Sequence, residues 1–239
     1  MKKLYLDVGN SSSILYHPDQ KVIVQRLQTQ ELCENPRILK VDNVDIVMVS
    51  NVVETLEKKL QKIFPQFYFI RFKDIPFKSI ALPSPEDIGI DRLLTSYAAW
   101  KCYQQAILVI DAGTALTACF VSQSGNYEGG MIFPGLGTCS KSLCENTDKI
   151  PFIKVKYQNE IIGKSTKEAV EMGLFHGFHH LINGYITQFK EKFEDLKVIA
   201  TGESLSIFDN KLRIDVFHDH LIFEGIEAVQ ERILKKIKG

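Results

Sequence analysis

The sequence predicts an α/β fold built twice over, with mixed strand-and-helix layers in each half. Two observations carry that prediction. A ten-residue pattern occurs at residues 7–16 as DVGNSSSILY and again, 104 positions later, at residues 111–120 as DAGTALTACF. Each copy follows an apolar run, LYL at 4–6 and ILVI at 107–110, which fits a buried strand that ends in an Asp-x-Gly turn. Segments of strand and helix character then alternate through both halves, as a mixed α/β layer requires. The expected division is 1–104 and 105–239, the second half including a terminal helix, with a hinge over a cleft where a ligand would bind.

Taken in order, residues 3–9, 12–17 and 21–26 read as three strands in meander, followed by a polar helical stretch to about residue 40. DIVMVS at 45–50 is a strand, and VVETLEKKLQKIF places Val53, Leu56, Leu60 and Ile63 at helical spacing. FYFI at 67–70 is a further strand. Pro76, Pro83 and Pro85 mark residues 74–87 as a loop. Residues 89–103 form a helix entered by a glycine turn. The second half restarts at Ala106 with strands AILVIDAG, TALTACFV and NYEGGMIFPG. Proline and glycine at 134–137 lead into a helix ending near residue 146. The longest helical stretch spans 165–193, with Ser165 and Thr166 as caps. Strands LKVIATG at 196–202 and RIDVF at 213–217 come next, and FEGIEAVQERILKKIKG supplies the terminal helix.

Composition narrows the function classes. With 45% hydrophobic and 24% charged residues the chain can bury a sizeable core. Lys plus Arg and Asp plus Glu each total 29, so there is no global basic field to hold nucleic acid. No apolar run approaches the roughly 18 to 20 residues of a membrane span. The N-terminus enters a strand at once, so no signal peptide is expected. Five cysteines without a Cys-x-x-Cys pair suit reduced thiols in the cytoplasm.

The paired turns carry the chemistry. In each, an Asp places a fixed negative charge at a strand end, and Gly9 or Gly113 lets a ligand approach the backbone. Asn10 and Thr114 add side-chain donors beside exposed amides, which makes a cradle for phosphate and metal. Two such hairpins facing one triphosphate mark phosphotransferases of the actin and sugar-kinase type. A third site is GIDR at 89–92: a carboxylate beside a guanidinium after a glycine can hold and deprotonate a hydroxyl while Arg92 binds an anion or carbonyl. Two other motifs lead elsewhere. GKST at 163–166 resembles the end of a Walker A loop, but Gln158 stands where its first glycine is needed. GLGTCS at 135–140 is an imperfect dinucleotide fingerprint, better read as a sharp strand-to-helix turn that aims amides at an anion.

LYLDVGNSS, PEDIGIDR, VIDAGTA, GGMIFPG and GKSTKEAVEMG occur in the order and approximate spacing seen in type III pantothenate kinases. The resemblance runs from position 4 to about 226, with FEGIEAV matching the closing segment. It implies a pair of ribonuclease-H-like domains of the actin and hexokinase fold, and ATP-dependent phosphorylation of pantothenate, the first step toward coenzyme A. It further implies a magnesium and phosphate role for Asp7, with Gly9 and Asn10 on the phosphates. Asp91 resembles the general base on the pantothenate hydroxyl, with Gly89 and Arg92 completing that substrate site. Asp111 resembles a monovalent-cation and phosphate-site residue, with Gly113 and Thr114 on the phosphates. Thr166 resembles the threonine that reaches pantothenate across the interface of a homodimer, and Gly202 belongs to the adenine-side motif. The family's cofactors are magnesium and a monovalent cation, potassium or ammonium. This chain departs from the pattern twice: Leu82 replaces a tyrosine of the substrate pocket, and Thr201-Gly202-Glu203 replaces Thr-Gly-Gly. A kinase of the same fold for another hydroxyl or acid substrate, or a non-catalytic nucleotide-sensing regulator, are the alternatives.

Overall fold

The computed structural model describes residues 1–208 and 211–238 of the chain. Gly239, the end of the expected terminal helix, lies outside the described residues. By its contacts the chain divides into two units, Met1–Cys102 with His220–Gly239, and Tyr103–Asp219.

The first unit opens with β1 (Lys3–Val8), β2 (Ser12–His17) and β3 (Val22–Gln28), a meander of antiparallel pairs. The polar stretch that follows is two short pieces, helix α1 (Thr29–Glu34) and a 3-10 turn over Pro36–Ile38. Pro36 has no amide hydrogen to continue a helix, which explains the break. Then come β4 (Ile46–Asn51), α2 (Glu54–Ile63), β5 (Phe67–Phe69), the two-residue β6 (Ser79–Ile80) and α3 (Ile90–Tyr103). The sheet order is β3-β2-β1-β4-β5, with β1, β4 and β5 parallel. Strand residues alternate between faces. Leu4, Leu6 and Val8 accordingly join Val47 and Val49 in a core with Leu32, Leu56 and Leu60. Tyr5 and Asp7 turn to the other face, beside Met48 and Ser50.

The second unit repeats this plan. β7 (Ile107–Ala112), β8 (Ala115–Val121) and β9 (Asn126–Pro134) form the meander, followed by α4 (Leu136–Glu145) and the 27-residue α5 (Thr166–Lys192). β10 (Lys197–Thr201) and the two-residue β11 (Val216–Phe217) run parallel to β7, giving the order β11-β10-β7-β8-β9 within the unit. Leu108, Ile110, Val198 and Ala200 pack with Phe175, Phe178, Ile182 and Ile186 of α5. A 3-10 turn over Glu203–Phe208, absent from the sequence expectation, contributes Leu205 and Phe208 to that core. The ladder expected from Arg213 begins only at Val216; just ahead of it the Asp215 amide donates to Val198 O at 3.0 Å and its carboxylate accepts from the Val198 amide at 2.7 Å.

The closing helix α6 (Leu221–Lys238) packs on the first unit. Tyr5 donates its hydroxyl to Gln230 Oε1 at 3.0 Å, and the Phe223 ring stacks on Tyr16 with centroids 4.3 Å apart. α6 covers the face of β1 that the α1 and α2 side leaves open, so Leu4, Tyr5 and Leu6 are buried on both faces and read as a short apolar run.

Candidate active site

Asp7 sits at the end of β1 and pairs in register with Ile14 on β2 and Ser50 on β4. The turn after it closes through the Gly9 amide, which donates to Ser12 O at 3.0 Å. Thr29 braces that turn: its hydroxyl donates to Gly9 O at 2.7 Å and lies 3.0 Å from Ser13 Oγ. Asn10 remains exposed at the tip.

Asp91 starts α3 in the same unit. Its Oδ1 accepts from the Arg92 amide at 2.8 Å. Gly89 makes room for that carboxylate, since a Cβ at position 89 would stand 2.5 Å from Asp91 Oδ1. The GIDR motif is thus a device for seating one carboxylate at a helix start, where the amides favour negative charge. Burial pushes Asp91 above the ordinary aspartate range, opposed by the Arg92 amide and guanidinium. Burial, followed by the Asp91 charge, raises Asp7 to about 7, with the Ser50 hydroxyl pulling the other way. Two desolvated carboxylates, with the Asp91 charge raising the proton affinity of Asp7, are what a divalent cation relieves, so these residues fit the magnesium that the sequence resemblance implies.

The second unit carries the other Asp-x-Gly turn. Asp111 is flanked in register by two hydroxyls, Thr117 on β8 and Thr201 on β10, an oxygen-rich setting suited to a hard cation. Two glycine-containing segments, at Gly135 and Gly202, close on this turn. Gly113 donates its amide to Ala115 O at 2.9 Å, and a side chain there would meet open space. Gly135 donates to Thr114 O at 2.9 Å, and a Cβ on it would stand 2.2 Å from Gly113 O. Gly202, at φ +102°, packs so closely that a Cβ would lie 2.5 Å from Ala112 O. Gly135 also caps α4, and the Thr138 hydroxyl bonds Thr114 O at 2.6 Å, so the first amides of α4 are held beside the Thr114 turn. Beside these segments lies a cavity of about 570 Å³ lined by Leu136, Gly137, Ile153, Gly202, Glu203, Phe217 and Asp219. That is within the usual size of a small-molecule pocket.

Thr166 is the first residue of α5. Ser165 caps the helix by accepting from the Glu168 amide at 3.2 Å, while the Glu168 carboxylate accepts from the Lys164 amide at 2.7 Å. Gly163 packs against Ala169, where a Cβ would stand 2.2 Å from its amide nitrogen, so GKST is a helix entry and not a phosphate loop. Asp7, Gly9, Asn10, Gly89, Asp91 and Arg92 therefore gather in the first unit, and Asp111, Gly113, Thr114 and Gly202 in the second. Thr166 stands apart on an exposed stretch of the second unit. Sequence reasoning missed Ser50, although a Ser-Asn pair ending the apolar run of β4 was a readable sign.

A duplicated meander with parallel strands added, each copy ending its first strand in an acidic glycine turn, defines the actin and hexokinase class of ATP-dependent phosphotransferases. Solved structures share that fold. The chain superposes on a Campylobacter jejuni protein assigned to the Baf family of transcriptional activators with a TM-score of 0.67 at 21% identity, over 97% of this chain and 99% of that one. A Listeria monocytogenes protein assigned as an N-acetylmannosamine kinase gives a TM-score of 0.52 at 13% identity, covering 99% of each chain. The type III pantothenate kinase family model matches residues 3–188. A type III pantothenate kinase from Persephonella marina is 35% identical over 79% of this chain and 76% of its own length. One from Geobacter sp. strain M21 is 30% identical over 96% of this chain and 98% of its own. The chain belongs to the type III pantothenate kinase family, whose activity is the ATP-dependent phosphorylation of pantothenate in coenzyme A biosynthesis.

Proposed function

We propose that Asp91 is the general base of this kinase: it orients the attacking pantothenate hydroxyl and accepts its proton. The single observation that carries this is the seating of the Asp91 carboxylate, which Gly89 admits and the Arg92 amide fixes while burial raises its proton affinity. A base with raised affinity at a desolvated helix start suits proton removal from an alcohol. Gly89 and Arg92 complete the substrate site, Arg92 offering its guanidinium to the pantothenate carboxylate or a carbonyl.

Asp7 would hold magnesium, with Gly9 and Asn10 on the phosphates. The bound cation would neutralise charge on the transferred phosphoryl group. Asp111, between two threonine hydroxyls, would take the monovalent cation, potassium or ammonium, with Gly113 and Thr114 on the phosphates. Gly202 would border the nucleoside. The chain would act as a homodimer in which Thr166 reaches the pantothenate of a second copy. Ile161 and Ile162, 76% and 73% exposed just ahead of Thr166, are apolar surface that a partner would cover. A cytoplasmic location fits the five free cysteines. No helix among the described residues is long and apolar enough to cross a membrane.

A coupled assay offering pantothenate, glucose and acetate, with potassium or sodium, tests this reading. Turnover of pantothenate that needs potassium supports it. Preference for glucose or acetate would reassign what the GIDR site holds, and full rates in sodium would remove the monovalent-cation role from Asp111.

A further inference from the structure

The two units match beyond their acidic turns. β1 and β7 occupy the same place in the two sheet orders, as do β4 and β10. Asp7 of β1 pairs in register with Ser50 of β4, and Asp111 of β7 pairs in register with Thr201 of β10. Each strand-end aspartate therefore has a hydroxyl residue on the parallel strand beside it. Paired residues of adjacent strands project on the same face of a sheet, so each hydroxyl is set next to its carboxylate.

Ser50 stands out further. It is fully buried, and apart from the Asp7 carboxylate paired with it in register its Oγ has no hydrogen-bond partner among the described residues. A buried hydroxyl without a partner costs about 1–3 kcal/mol, so its retention at a site of two carboxylates calls for a role. Ser50 is held rigidly: Val52 donates its amide to Val8 O at 3.1 Å, and Asn51 Oδ1 accepts from the Val53 amide at 3.1 Å, locking the end of β4.

We propose that Ser50 is the positioning residue of Asp7, donating its hydroxyl hydrogen to one carboxylate oxygen so that the other is presented to the divalent cation and phosphate. This rests on the reading of Asp7 as the magnesium residue. Outer partners of this kind orient metal-binding carboxylates and are worth about 10- to 100-fold in metal affinity.

The test measures manganese binding in the presence of a non-hydrolysable ATP analogue, from the electron paramagnetic resonance signal of free manganese, alongside thermal melting. Ser50→Ala weakens manganese about tenfold while melting close to the parent temperature, since the hydroxyl serves Asp7 and not the packing of β4. Ser50→Thr, which installs the hydroxyl residue found at the matching position of the second unit, stays within about threefold of the parent. In an Asp7→Asn background Ser50→Ala has no further effect, because it acts through Asp7. Parent-like manganese affinity in Ser50→Ala, a further loss when Ser50→Ala is added to Asp7→Asn, or a Ser50→Ala protein that no longer folds overturns the proposal. If Asp7→Asn itself binds manganese as the parent does, the assignment of Asp7 fails instead.

Discussion

Gly89 and Asp91 are spatially interlocked: a single methyl group at position 89 would occupy space 2.5 Å from Asp91 Oδ1. With Asp91 as the proposed base, the glycine belongs to the active-site geometry although it carries no functional group. Gly89→Ala should displace the carboxylate and lower kcat at least about tenfold, since small misplacements of a reacting group are costly. Asp91→Asn keeps the shape but cannot take the proton, and should lower turnover by about two to four orders of magnitude with nucleotide affinity retained. Steady-state kinetics and nucleotide titration on both variants check this. Activity of Asp91→Asn within threefold of the parent removes it from the mechanism.

The raised proton affinity of Asp7 sets the sign of a pH effect on stability. Its folded value of about 7 lies above the ordinary aspartate value of 3.8, so between those limits the folded state binds more protons than the unfolded state. Without metal, stability should therefore fall as pH rises from about 4 to 7 and level off above that. Asp7→Asn should flatten this slope and raise the melting temperature at pH 8 by roughly 3 °C or more. Melting curves of the metal-free proteins at pH 5 and 8 that show no difference in slope would dismiss the coupling.

The cavity beside Gly202 is lined by Glu203 where the family pattern has glycine. A nucleobase entering this cavity should meet the Glu203 side chain and charge and be kept from lying flat, leaving most of the affinity to phosphate contacts common to all nucleoside triphosphates. GTP or CTP should support rates within about tenfold of ATP, equivalent to roughly 1.4 kcal/mol or less of base recognition. Glu203→Gly should tighten ATP more than GTP. Competition assays that show hundredfold ATP selectivity in the parent would mean that Glu203 does not shape the base site.

Asp74 fastens α6 to the first unit. It is 3% exposed and accepts from Tyr68 Oη at 3.2 Å, from the Arg71 amide at 2.9 Å and from Lys236 Nζ. Asp74→Ala strands the Arg71 amide and the Tyr68 hydroxyl together and should cost about 3 kcal/mol; Lys236→Met, which removes one partly exposed donor, should cost about 1 kcal/mol. Urea unfolding of the two variants ranks them, and equal losses would show that Lys236 carries most of the attachment.

Much of the fold was legible because it repeats a local signal. The strands of both meanders and the amphipathic α2 follow from apolar periodicity, and both acidic turns follow from Asp-x-Gly after an apolar run. Periodicity reports which residues seek burial, not what buries them. The short β11 illustrates the difference: RIDVF has strand composition, but the Asp215 carboxylate takes the Val198 amide and only Val216 and Phe217 join the ladder.

By itself the sequence determined the duplication, the acidic turns, the GIDR segment and, through the order of five motifs, the kinase family. These are local or ordered features, and chain order preserves them without knowledge of contacts. Tertiary structure decided that α6 packs on the first unit through Tyr5 and Phe223, that Gly135 and Gly202 exist to let backbone press on the Ala112–Thr114 turn, and that Ser50 stands beside Asp7. Each of these depends on strand register or on the close approach of segments distant in the chain, and none is encoded in the residue types of either partner alone.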